Sequence, residues 1–186
     1  RKPMSAIAAP HTQDQPAQGA AFNLFQLGDT ATLQQNILQP TLDYLGISCQ
    51  HTGQLLLGTL LCTARLPEAK RVEQAIGPYG ISPRLHTRLW DEYLARQPDL
   101  ASRIRGLASQ HCFLRDPHAE LGYNLAYATA IAWLVYQHQQ LRLPEHCDPA
   151  SLARIWETSY PHRGGQASDF LQAWQQAFRQ RCKARN

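Results

Sequence analysis

The chain has 186 residues, 44% of them hydrophobic and 17% charged, which suits one globular domain with a genuine core. A net charge of +4 is too mild to argue for nucleic acid as the partner. No apolar run reaches the ~20 residues that a bilayer-spanning helix needs. The opening RKPMSAIAAP has basic residues but lacks the apolar centre of a signal peptide, so none is evident.

In chain order, residues 1–28 are rich in Ala, Gln, Pro and Gly and read as a flexible or peripheral arm, with Phe22, Leu24 and Phe25 able to dock on the body. Residues 29–186 read as one helical domain. Leu33, Ile37, Leu38, Leu42 and Leu45 give a helical stripe that ends at Gly46. The apolar run QLLLGTLLCTARLPEAK follows, with Leu55, Leu56, Leu57, Leu60 and Leu61 buried and a polar end at Thr63. Residues 74–82, QAIGPYGIS, predict a loop or a small hairpin.

Ser82-Pro83, Asp116-Pro117 and Asp148-Pro149 each place a capping residue before a proline suited to a first helical turn. Between them lie the stripes Leu85, Leu89, Trp90, Tyr93 and Leu94, then Leu100, Ile104 and Leu107. Residues 117–142 predict one long helix, Ala-rich and apolar on most faces, through the middle of the domain. Leu152, Ile155 and Trp156, then Phe170, Leu171, Trp174 and Phe178, supply the last two stripes. The expected architecture is all-α, about seven helices around the central one. The basic end, Arg179, Arg181, Lys183 and Arg185, complements a helix dipole.

Side chains with chemical potential are few. The five cysteines are odd in number and lack a C-x-x-C spacing, which predicts free thiols in a reducing compartment. His111-Cys112 and His146-Cys147 invite a zinc site, but they flank a predicted helix about 40 Å long. No metal and no cofactor is expected. Cys62 follows the apolar run directly, so buried structural thiol is the better reading than nucleophile. Tyr79, Tyr123, Tyr127 and Tyr160 suit either sugar recognition or the polar rim of a core.

Five segments taken together resemble the lysozyme-like fold of lytic transglycosylases, in particular phage and prophage proteins of that type. NILQPTLDYLG is similar to their opening helix and QLLLGT to the start of their catalytic helix. GPYGISPRLHTRLW falls where they carry a Gly-x-Tyr-Gln-x-x-Pro-x-x-His-x-x-x-Trp loop and helix. HAELGYNLAYATAIAWLVY resembles their long central helix, and SLARIWETSYPHRGGQASDFLQAW their closing pair.

The resemblance implies a site that has lost its acid. The family's catalytic helix ends in Glu-Ser, and the alignment puts Thr63 at the glutamate and Ala64 at the serine. The loop glutamine falls on Gly80, and Ser82 stands where a glutamate often does. Tyr79, Pro83, His86 and Trp90 match the pattern and read as scaffold. Glycosidic cleavage needs a proton donor poised near neutral pH, which a threonine hydroxyl is not. The expectation is a disabled transglycosylase-like domain in the bacterial cytoplasm or a phage particle, binding peptidoglycan or a protein. Tyr79, Ser82, Tyr123, Tyr127 and Tyr160 are the candidate binding residues. The rival expectation is an active glycan-strand-cleaving enzyme with Glu68 as acid/base, which requires Glu68 in a cleft near Tyr127.

Overall fold

A computed structural model describes Thr30–Lys183, with side chains as far as Arg179. The expected N-terminal arm and Arg185 lie outside the described residues, as do the side chains of Arg181 and Lys183. The described chain is all-α, and its only β pairing is an isolated bridge between Ile76 and Ile81. No helix among the described residues is long and apolar enough to cross a membrane.

Helix α1 (Thr30–Leu33) passes through a π turn (Gln34–Leu38) into α2 (Gln39–Tyr44). Pro40 explains the widened turn, because its ring has no N–H and would crowd the carbonyl four residues back. Gly46, at φ +74°, ends the stretch in the left-handed region that glycine enters at no steric cost. Helix α3 (Gln50–Arg65) then carries a continuous buried run from Leu55 to Thr63. Pro67 bars its continuation, and the backbone turns extended at Leu66.

The next segment is a tight loop closed by Ile76 N–H to Ile81 O at 3.0 Å and Ile81 N–H to Ile76 O at 3.2 Å. Gly77, at φ +70°, lies so close to the Leu121 carbonyl that a Cβ would come within 2.0 Å of its oxygen. Helix α4 (Pro83–Arg88) starts where the Ser82 hydroxyl accepts from Leu85 N–H at 3.2 Å. It runs on through a π turn and a 3-10 turn to Arg96, before α5 (Pro98–Leu107) and α6 (Gln110–Arg115). The Asp148 carboxylate accepts from Ser151 N–H at 2.7 Å to open α9 (Pro149–Ser159), and α10 (Ala167–Lys183) closes the chain.

The long helix expected over 117–142 is not continuous. The region divides into a 3-10 turn (Pro117–Ala119), α7 (Glu120–Tyr123) and α8 (Leu125–His138), and the chain leaves helix again after His138. The break falls at Asn124, whose backbone is extended at φ −100°, ψ 91°. Its side chain accepts from Tyr127 N–H at 3.1 Å, capping α8, and donates to the Leu107 carbonyl at 2.9 Å and to Glu120 at 2.6 Å. A residue that satisfies three backbone and side-chain groups at once holds the chain out of helix.

The core is a single cluster of buried side chains drawn from every long helix. Helix α3 lies at its centre, in contact with α8, α9 and α10. A Cβ on Gly58 would lie 2.0 Å from the Phe170 ring, so glycine is what lets α10 approach α3 this closely. On another side, the Thr59 hydroxyl meets the Tyr136 hydroxyl at 2.7 Å, linking α3 to α8 inside the core.

Candidate functional site

Thr63 sits in the last turn of α3, and only 3% of it is exposed. Its carbonyl accepts from Leu66 N–H at 3.3 Å and from the Arg71 guanidinium at 3.4 Å. Its hydroxyl has no hydrogen-bond partner among the described residues. The methyl group packs on Gly80, where a Cβ would come within 2.8 Å of it. Positions 63 and 80, seventeen residues apart in sequence, therefore meet in direct contact, with no carboxyl side chain between them. Gly80 also has φ +59°, which favours glycine there on conformational grounds as well.

The tyrosines do not line an open groove. Tyr79 is wholly buried; its hydroxyl meets Thr129 at 3.1 Å, and its carbonyl accepts from the Tyr160 hydroxyl at 2.7 Å. Tyr160 is 4% exposed, with its ring tilted against Tyr136 at 5.3 Å between centroids. Burial pushes the hydroxyl pKa values of Tyr79, Tyr127 and Tyr160 well above the ordinary tyrosine range. Ser82 is occupied as the cap of α4. Tyr123 alone of the four tyrosines is exposed, because the break at Asn124 separates it from Tyr127. The expectation of a tyrosine-lined sugar groove is therefore corrected: three of its four rings are interior, each with its hydroxyl satisfied.

Tyr127 belongs to a buried relay. Its hydroxyl oxygen accepts from the Trp90 indole at 3.0 Å and meets His86 Nε2 at 2.7 Å, while His86 Nδ1 meets His118 Nδ1 at 2.8 Å. Indole can only donate, so the Tyr127 oxygen accepts from Trp90, while the direction of its bond to His86 Nε2 follows the imidazole tautomer. The bond between His86 and His118 takes its direction from the tautomers of the two rings in the same way. Burial, reinforced by His118 and opposed by Asp116, lowers the His86 pKa to about 4. His86 and Trp90 thus anchor α4 and the turn after it to α8, in keeping with the scaffold role expected of them.

Glu68 is exposed on a 3-10 turn (Glu68–Lys70) and borders a cleft of about 430 Å³ with Arg71, Glu73, Gln74 and Arg163. Tyr127 is not among the residues of that cleft. A catalytic acid of this kind needs a drier setting than Glu68 has. Cys62 is buried, and its thiol pKa is pushed up to about 12, first by burial and then by Asp169, against the opposing charges of Lys70 and Arg65. It is an inert core thiol. His111 and His146 are exposed, and no cluster of three metal-ligating side chains occurs among the described residues.

Sequence reasoning missed Glu120, which is wholly buried at the start of α7. Its carboxylate accepts from Ser109 N–H at 3.1 Å and from Asn124 at 2.6 Å, and it forms no ion pair among the described residues. It borders a cavity of about 600 Å³, along with Pro40, Tyr44, Tyr123 and Asn124. The four-residue spacing of Glu120 and Asn124 was the one local signal available.

Comparison with protein-family models, curated proteins and solved structures finds no match to this chain. The class that the structure itself defines is an all-α protein.

Two outcomes check this geometry. Thr63→Val removes a buried hydroxyl that has no partner while keeping the shape, so stability in urea melts is expected to stay level or rise by about 1 kcal/mol. A loss of several kcal/mol would mean the hydroxyl has a partner. For His86, the folded pKa near 4 lies below the ordinary 6.5, so the unfolded chain binds the extra proton between those values. Stability is fully present above about pH 6.5 and falls as the pH drops towards 4, by roughly 2–3 kcal/mol. Melts across that window are expected to be flatter for His86→Gln.

Proposed function

We propose that this chain is a lysozyme-like, lytic-transglycosylase-type helical domain that lacks the acid for glycan cleavage and works as a binding or structural module. The observation that carries the proposal is the contact between Thr63 and Gly80. Those are the positions the resemblance aligns with the family's glutamate and glutamine. Two residues of one site should meet in space, and these do. Neither can donate a proton to a glycosidic oxygen.

Of the two binding readings, the protein partner is favoured. Sugar recognition by stacking needs exposed aromatic faces, and Tyr79, Tyr127 and Tyr160 are interior. The Thr63 methyl group packs on Gly80, and Tyr79 is tied to Thr129 through its hydroxyl and to Tyr160 through its carbonyl. A phage particle or a phage-derived assembly is the setting that the resemblance suggests for such a module. Helix α10 presents its remaining exposed face as one surface for docking.

The test is release of soluble muropeptides from purified peptidoglycan. None is expected from the natural protein at any pH between 5 and 8, and Glu68→Gln should match it. Release that Glu68→Gln lowers by about 10²-fold or more would overturn the proposal and make Glu68 the general acid.

A further inference from the structure

The segment after α8 turns sharply at Gln140, whose φ is +56°, and runs back across the start of α3. There the Glu145 carbonyl meets His51 Nε2 at 3.2 Å. Cys49 lies two residues before His51, and Cys147 two residues after Glu145, so one hydrogen bond brings both cysteine-bearing strands of chain together. Leu141 and Leu143 of the same segment face Cys49 across a cavity of about 200 Å³. Cys49 is exposed at the N-cap of α3, and Cys147 is half-buried with its thiol 3.6 Å from the Pro144 carbonyl.

We propose that Cys49 and Cys147 form a reversible cross-link site, closed by a small-molecule disulfide such as oxidised glutathione, that staples the 140–148 segment to the start of α3. The two thiols have complementary settings. Slight burial raises the Cys49 pKa, but hydrogen bonds from Thr52 and from the His51 backbone outweigh it and hold the thiol below its ordinary range. Burial raises that of Cys147, and the charges of Cys49 and Asp148 raise it further. Cys49 is thus the attacking thiolate and Cys147 the resolving thiol.

The steps balance. Cys49 Sγ attacks one sulfur of the oxidant, forms a mixed disulfide and expels one glutathione thiolate. Cys147 gives up its proton to solvent and attacks Cys49 Sγ, expelling the second thiolate. Two protein thiols are oxidised and one external disulfide is reduced to two thiols. The site is independent of the proposed function. In the structure the two thiols are free, as expected from sequence, and the proposal concerns their oxidised state.

The experiment exposes the full chain to oxidised glutathione, blocks remaining thiols, and maps proteolytic peptides by mass spectrometry without reduction. The expected result is a Cys49–Cys147 peptide as the main cross-link. A midpoint rise on the order of 10 °C, reversed by dithiothreitol, should accompany it, as for closing a loop of roughly 100 residues. Cys147→Ser should trap glutathione on Cys49, and Cys49→Ser, which places a residue suited to an N-cap, should abolish the cross-link. Links to Cys62, Cys112 or Cys182 instead, a dimer joined through Cys49, or scattered glutathione adducts with no internal link would each overturn the proposal.

Discussion

Everything in this molecule is arranged around the burial of α3 from Leu55 to Thr63. A helix surrounded on all sides must offer its neighbours both space and polar partners, and two adjacent residues do so. Gly58 leaves the room that the Phe170 ring fills, bringing α10 against α3. Thr59 gives its proton back to the Leu55 carbonyl, or shares it with Tyr136, so a hydroxyl from α8 can be buried without loss. Burying so many leucines stabilises the fold at roughly 1.5–3 kcal/mol for each side chain.

That arrangement decides what the end of α3 can be. The helix stops because Pro67 stops it, and Thr63 is left one turn earlier, still inside the protein. An ionised glutamate at this position would be desolvated, with the Arg71 guanidinium on the residue-63 carbonyl as the cation beside it. Instead the Thr63 methyl rests on Gly80, and Tyr79 and Tyr160 are tied to the loop beside it. A site for chemistry requires a void that substrate can enter. Here the contact between Thr63 and Gly80 is packed, and the residues that border clefts nearby, Glu68 and Arg163 among them, are exposed.

The sequence was informative wherever a local device decides the outcome. Ser82, Asp116 and Asp148 each cap a following turn as the Ser-Pro and Asp-Pro pairs predict, because a side chain and its backbone partner two or three residues on suffice for the motif. It failed where the deciding partner is remote. Asn124 looks like a polar residue within an apolar helix, and the Leu107 carbonyl, seventeen residues back, helps turn it into a break. The same is true of the tyrosines. A ring with a hydroxyl fits a rim or a core equally well, and His86, Trp90 and Thr129, distant in sequence, draw these ones inside. Thr63 was singled out from the chain alone, but its fit against Gly80 could not be.

The most direct measurement of the central claim is a titration of the isotopically labelled protein with a soluble chito-oligosaccharide, followed through backbone amide resonances. A packed end of α3 should leave the amides of Thr63, Tyr79 and Gly80 unshifted at millimolar sugar. Saturable shifts confined to those three residues and their neighbours would contradict it, because they would require an open glycan groove where the side chains are now closed on one another.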